Sequence, residues 1–171
     1  MYKLIKGMLV TAFSVFLLTG FSQSAWADAK SDYEKKVKVN NGTIGVIAGV
    51  INYVCPKLVD SSLNICNAKD PVGSAVGVQK VMGEIEELDD MDPDELIEEL
   101  TDRKILHVDA AMQFYDAVEQ FKLHYPLRAS AKEAAGKGNW EDAARSEEMA
   151  WQYLVKTASR GIFAKKMVDG E

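Results

Sequence analysis

The sequence predicts an all-α, single-domain helical bundle with a long central helix over about residues 93–125 and one disulfide. Three observations lead there. Apolar residues recur every three or four positions through the second half of the chain, which is the helical period. No convincing run alternates apolar and polar residues as a half-buried strand would. The only two cysteines lie 11 residues apart in a chain that carries an export signal. Length and composition agree with one globular domain: 171 residues, 47% hydrophobic and 27% charged.

The N-terminus reads as an address. Lys3 and Lys6 precede an 11-residue apolar run from Met8 to Leu18, followed by Gly20, Ser22, Ser24 and Ala25-Trp26-Ala27. A charged start, a short apolar centre and a small-x-small end make residues 1–27 a secretory signal peptide, cleaved between Ala27 and Asp28. The run is too short for a bilayer, which needs about 20 apolar residues. No cysteine follows the cleavage point, so no lipid anchor is expected. The Ala-x-Ala end has a bacterial character, which places the protein in the periplasm or outside the cell. Removing the signal leaves 18 basic against 26 acidic residues, a net charge of −8. Such an acidic chain is not expected to bind nucleic acid, which requires clustered positive charge. Asn41-Gly42-Thr43 matches the N-glycosylation acceptor pattern, a three-residue match common by chance.

Residues 28–42 are polar and end in the turn signal Asn40-Asn41-Gly42, so they read as a solvated leader. The helical domain then spans residues 43–166. Residues 43–59 hold only Asn52 and Lys57 as strongly polar positions and read as a buried helix, with a central strand as the alternative. Asp60-Ser61-Ser62 marks a turn, and residues 67–74 a second break. Val78, Val81, Met82, Ile85 and Leu88 give residues 75–88 a helical stripe. Asp92 is a good N-cap, Pro93 suits the first helical position and Glu95 sits three residues after the cap, so a new helix opens there. It carries Leu100, His107, Ala111, Phe114, Val118, Phe121 and Tyr125 on one stripe, with Ile97, Ile105, Val108, Met112 and Tyr115 beside it. A helix apolar over so much of its circumference is expected at the centre of the bundle. Pro126 kinks or ends it. Residues 127–135 form a short Ala-rich helix stopped by Gly136-Lys137-Gly138. Asn139 caps the last helix, residues 140–166, with Trp151, Leu154, Ala158 and Ile162 inward and a tail at 167–171. Gly138-Asn139-Trp140-Glu141-Asp142-Ala143, with Ala150, resembles the turn and second helix of a tetratricopeptide repeat. The helix before it departs from that pattern at Ser130 and Ala134, and no second copy lies 34 residues away, so the resemblance is one of packing.

Cys55 and Cys66 are expected to pair, because exported thiols oxidise. On one continuous helix they would lie about 16 Å apart, and a disulfide tolerates about 4.4–6.8 Å between Cα atoms. The chain must therefore reverse between them, and closing that loop contributes about 2–3 kcal/mol. They read as a structural staple.

Few residues offer chemistry. His107, placed inward, could ligate haem or a metal with Met82, Met112 or Met149, and this makes a cofactor-binding bundle the second reading. The plainer expectation is no cofactor and a hydrogen-bonded core histidine, since no haem-attachment motif is present. Asp89, Asp90, Asp92, Asp94 and Glu95 begin like a calcium loop, but Glu95 stands where Gly is needed, Thr101 where Glu is needed, and Pro93 intrudes. Helix capping explains them better. No nucleophile elbow, phosphate loop or Glu-x-x-His pair occurs, so catalysis is not expected. The pairs Gly45/Gly49 and Gly73/Gly77 permit close helix approach. A third reading therefore sets the run from Ile44 to Val54 against a membrane or a partner helix. Trp140, Tyr153 and Phe163 are the aromatic candidates for a protein contact. The function expected is binding to another envelope or secreted protein, as an accessory factor, inhibitor or assembly subunit.

Overall fold

The computed structural model describes residues 29–83 and 90–170. The signal peptide, its cleavage point and Asp89 lie outside the described residues. Among the described residues six α-helices follow in chain order: α1 Ala29–Leu58, α2 Pro71–Met82, α3 Pro93–Asp102, α4 Val108–Lys122, α5 His124–Gly136 and α6 Trp140–Asp169, with a 3-10 turn at Ser61–Leu63 after α1. The all-α single domain with one disulfide is as expected; three boundaries are not.

The polar leader and the apolar segment are one helix. In α1 the buried positions Lys36, Asn40, Thr43, Ile47, Val50 and Val54 alternate steps of four and three residues. Ala143, Glu147, Ala150, Leu154, Thr157, Gly161 and Ala164 of α6 do the same. This 3.5-residue repeat keeps one seam turned toward a neighbouring helix over several turns. The two helices, each 30 residues long, accordingly run parallel, about 45 Å at 1.5 Å per residue. Lys36 reaches Glu148 near one end and Lys57 reaches Asp169 near the other, both across 112 residues of sequence. Asn40-Asn41-Gly42 is therefore helix interior and not a turn. The predicted tail at 167–171 is partly helix as well, since α6 continues to Asp169.

The central helix is α6, which packs along α1, α4 and α5. The predicted central helix over 93–125 is divided between α3 and α4. The break follows from the end of α3. Lys104 adopts a left-handed backbone with φ of 69°. Its N–H reaches the Thr101 carbonyl at 2.9 Å, and the Ile105 N–H reaches the Leu100 carbonyl at 2.9 Å. That is a Schellman motif, and its usual hydrophobic contact pair, Leu100 and Ile105, is buried. The chain then pairs with the end of α1. Val59 and Ile105 form an isolated antiparallel bridge, with Asp60 N–H donating to Lys104 O at 2.9 Å and Leu106 N–H to Leu58 O at 2.7 Å. Pro126 acts as expected: it has no N–H for the Lys122 carbonyl, and the helix is interrupted at Leu123 between α4 and α5.

The core gathers Ile47, Val54, Leu58, Val78, Met82, Leu100, Phe114, Phe121 and Leu154. Between α1, α2, α4 and α6 lies a cavity of about 20 Å³ lined by residues such as Ile47, Val50, Phe114, Val118, Phe121 and Thr157. It is almost wholly apolar and only slightly larger than one water needs.

Candidate functional site

The cysteines meet as the chemistry requires. Cys55, buried on α1, bonds to Cys66 in the following loop with 5.8 Å between Cα atoms. The reversal is made locally: the Asp60 carboxylate accepts from the Ser62 N–H at 2.8 Å, and Asn64 turns the chain with φ of 50°. The bridge fastens the loop before α2 to the end of α1. Beyond it, a Cβ at Gly77 would touch Ile65 and one at Gly73 would collide with the Asp70 carboxylate that caps α2. That pair of glycines serves packing within the domain.

His107 does not face the core. It is exposed, at the N-cap of α4, and its side chain makes no capping hydrogen bond. The reason is the break at Lys104, which destroys the helical phase that placed His107 on the same stripe as Phe114. Of its conceivable partners, Met82 is fully buried and Met149 is 39% exposed on α6. Among the described residues, no three His, Cys, Asp or Glu side chains are grouped to hold a metal ion. Asp92 of the acidic knot caps α3, accepting from the N–H groups of Asp94 at 2.9 Å and Glu95 at 3.0 Å. Ile47, Val50, Ile51 and Val54, the apolar substance of the run from Ile44 to Val54, are buried in the bundle. They offer no apolar face to a membrane.

The interaction candidates divide. Trp140, half-buried, lies 5.8 Å from the Tyr33 ring and under the Lys30 ammonium, which joins the first turns of α1 and α6. Tyr153 is half-buried beneath Lys156. Phe163 is 49% exposed on α6. Gly45 and Gly49 are exposed on α1, and a Cβ at either would meet nothing within 4 Å. These three lie on the outer surfaces of the two long helices.

A buried polar cluster, absent from the sequence reading, lies between α1, α5 and α6. Glu147, 2% exposed, accepts from Asn40 Nδ2 at 2.5 Å and from Arg128 Nε at 3.2 and 3.3 Å. Asn40 Nδ2 also reaches the Glu147 carbonyl at 2.8 Å, and Arg128 reaches Asn41 Oδ1 at 2.9 Å. One turn earlier, Lys36 joins Asp32 at 2.8 Å and Glu148 at 3.0 Å. Burial alone would depress the Lys36 ammonium; its bonds to Asp32 and Glu148 outweigh that and hold it above the usual lysine range. His124, the other histidine, borders this cluster. It is 2% exposed, with Nδ1 hydrogen-bonded to the Phe121 carbonyl and its ring 4.5 Å from Phe121 and 4.1 Å from Tyr125. Burial pushes its pKa below the ordinary histidine value, so the ring is neutral at pH 7 and Nδ1 carries the proton it donates.

Chemically the cluster is a lock. Its carboxylate is already shared between two donors and shut away from solvent, and a buried polar pair on a heptad seam fixes the register of two helices. At the far end Asp169 plays a similar part, accepting from Lys57 at 2.6 Å, Lys165 at 2.7 Å and Tyr53 at 2.7 Å. No known protein family, curated protein or solved structure matches the chain.

Proposed function

We propose that this is an exported protein that works by binding another envelope or secreted protein, with no catalytic step of its own. The Cys55–Cys66 bridge is compatible with an oxidising compartment, and no described helix is long and apolar enough to cross a membrane. The observation that carries the reading is the surface of the two long helices. Gly45 and Gly49 leave the α1 backbone open to close approach, although each glycine costs a helix about 1 kcal/mol and no described residue lies within 4 Å of the space. Phe163 projects from α6 as the kind of aromatic anchor that interfaces favour. An accessory factor, an inhibitor or an assembly subunit would each use such a surface.

The test places a photo-crosslinking amino acid at position 49 or 163 of the naturally exported protein, with Lys132 on α5 as an exposed control position. A discrete adduct from 49 or 163, absent from 132 and weakened by a nearby Gly45→Leu change, is expected. Uncrosslinked monomer from all three positions would overturn the reading. Mass spectrometry of the same material is expected to find an N-terminus at Asp28.

A further inference from the structure

We infer that α5 is an acid-released strap, held closed by His124 and hinged at Leu123. The inference starts from how this helix is held: it packs extensively along α6 and little against any other helix. His124 and Ala131 are the only buried residues in its 13 positions. Its neighbour α6 has nine, and the other end of α5 leads into the exposed Gly136-Lys137-Gly138 turn. A helix docked mainly on one neighbour can open as a unit by leaving that neighbour alone. Its entry is already interrupted, because Pro126 leaves the Lys122 carbonyl without a helical donor. At that interruption the His124 ring takes the place of continued helix, donating from Nδ1 to the Phe121 carbonyl and resting against Phe121 and Tyr125.

The pin is titratable. In the closed state the ring holds one proton, on Nδ1, and a second proton on Nε2 would place a cation among two aromatic rings at 2% exposure. The charged groups facing it are Glu147 from α6, which favours that second proton, and Arg128 on α5 itself, which opposes it; α4 contributes the Phe121 carbonyl. Burial outweighs the attraction of Glu147, so the closed state binds the second proton more weakly than the open one. The sign follows: closure is complete above the ordinary histidine pKa near 6.5 and weakens as pH falls below it. Opening would also separate Arg128 from Glu147 and Asn41 and uncover the Ala143–Ala150 stretch of α6. Leu123 and the Gly138 turn, at the two ends of α5, allow it to move while the direct bonds between Asn40 of α1 and Glu147 of α6 stay in place.

Amide hydrogen exchange between pH 7 and 5, corrected for the intrinsic pH dependence of exchange, tests this on the disulfide-intact protein. Protection of α5 amides is expected to fall as pH drops below 6.5, by no more than about tenfold per pH unit, the limiting slope when opening takes up one proton, while α1 amides hold. The His124 ring proton resonances should titrate below the ordinary histidine range, where the loss of α5 protection levels off. His124→Asn, whose amide can still donate to the Phe121 carbonyl but takes no second proton, should keep α5 protected at pH 5. Glu147→Gln should leave the pH dependence in place, which separates the histidine from the carboxylate. Equal loss of protection in His124→Asn would overturn the proposal. So would a His124 titration in the wild-type protein that leaves α5 protection unchanged.

Discussion

Glu147→Ala isolates the polar lock. The substitution leaves Asn40 Nδ2 with only the Glu147 backbone carbonyl and leaves the Arg128 guanidinium facing the seam. Removing one partner of a buried ion pair costs about 3–5 kcal/mol. The lower figure applies here, because the Arg128 side chain keeps 23% of its surface exposed and can turn toward water. For a domain of this size, about 3 kcal/mol lowers Tm by roughly 6–12 °C. Asn40→Leu should cost about 1 kcal/mol, since Glu147 retains Arg128 and the fully buried Asn40 Oδ1, which has no hydrogen-bond partner among the described residues, disappears with it. The double variant Asn40→Leu/Glu147→Leu places two apolar side chains on the seam and should recover most of the loss, because well-packed hydrophobic residues often replace a buried polar pair at no net cost. Urea unfolding followed by circular dichroism, at pH 7 with the disulfide intact, of the wild type, Asn40→Leu, Glu147→Leu and the double variant gives all four corners of the cycle. A coupling energy of about 2 kcal/mol is expected. Additive losses, or a cost below about 1 kcal/mol for Glu147→Ala, would mean that the seam does not depend on this pair.

Lys104→Gly should stabilise the protein by about 0.5–1 kcal/mol, because glycine carries no penalty at a left-handed helix end and offsets only part of that gain through unfolded-chain entropy; an unchanged urea midpoint would contradict it. Gly45→Ala and Gly49→Ala should each add about 1 kcal/mol of stability, since a methyl group there meets nothing; loss of the photo-crosslinked adduct in a more stable variant would tie these glycines to binding alone. Asp169 gives a pH signature. Burial would raise its pKa, but hydrogen bonds from Lys165, Lys57 and Tyr53 outweigh it and hold the carboxyl far below the usual range. The stability it contributes is therefore complete above the unfolded value near 4 and is lost as pH falls below that. Asp169→Asn should be less stable at pH 7 and show a flatter decline between pH 4 and 2, measured by thermal unfolding.

Much of the fold was legible where the cause is local. Asp92 and Pro93 start α3, Asn139 starts α6, Pro126 interrupts the helix after Lys122, and Cys55 and Cys66 demand a reversal between them. Each depends on chemistry within a few residues. The break after α3 leaves no local signal because a lysine, not a glycine, takes the left-handed position, and only the buried pair Leu100 and Ile105 makes that conformation worthwhile. A helix continued through that break turns the wrong histidine inward: His107 is exposed and His124 is buried. The α1 seam was visible as spacing, since Lys36, Asn40 and Thr43 continue the steps of Ile47, Val50 and Val54, but polar side chains at those positions read as solvent-facing.

The primary structure therefore settled the class of fold, the helix caps, the proline interruption and the sulfur bridge, all of which depend on near neighbours in the chain. Which polar groups go inside was decided by packing across the chain. Burying Asn40 is tolerable only with Glu147 opposite, and those two are separated by 107 residues. A hydrogen bond of that span leaves no mark on the residues beside either partner.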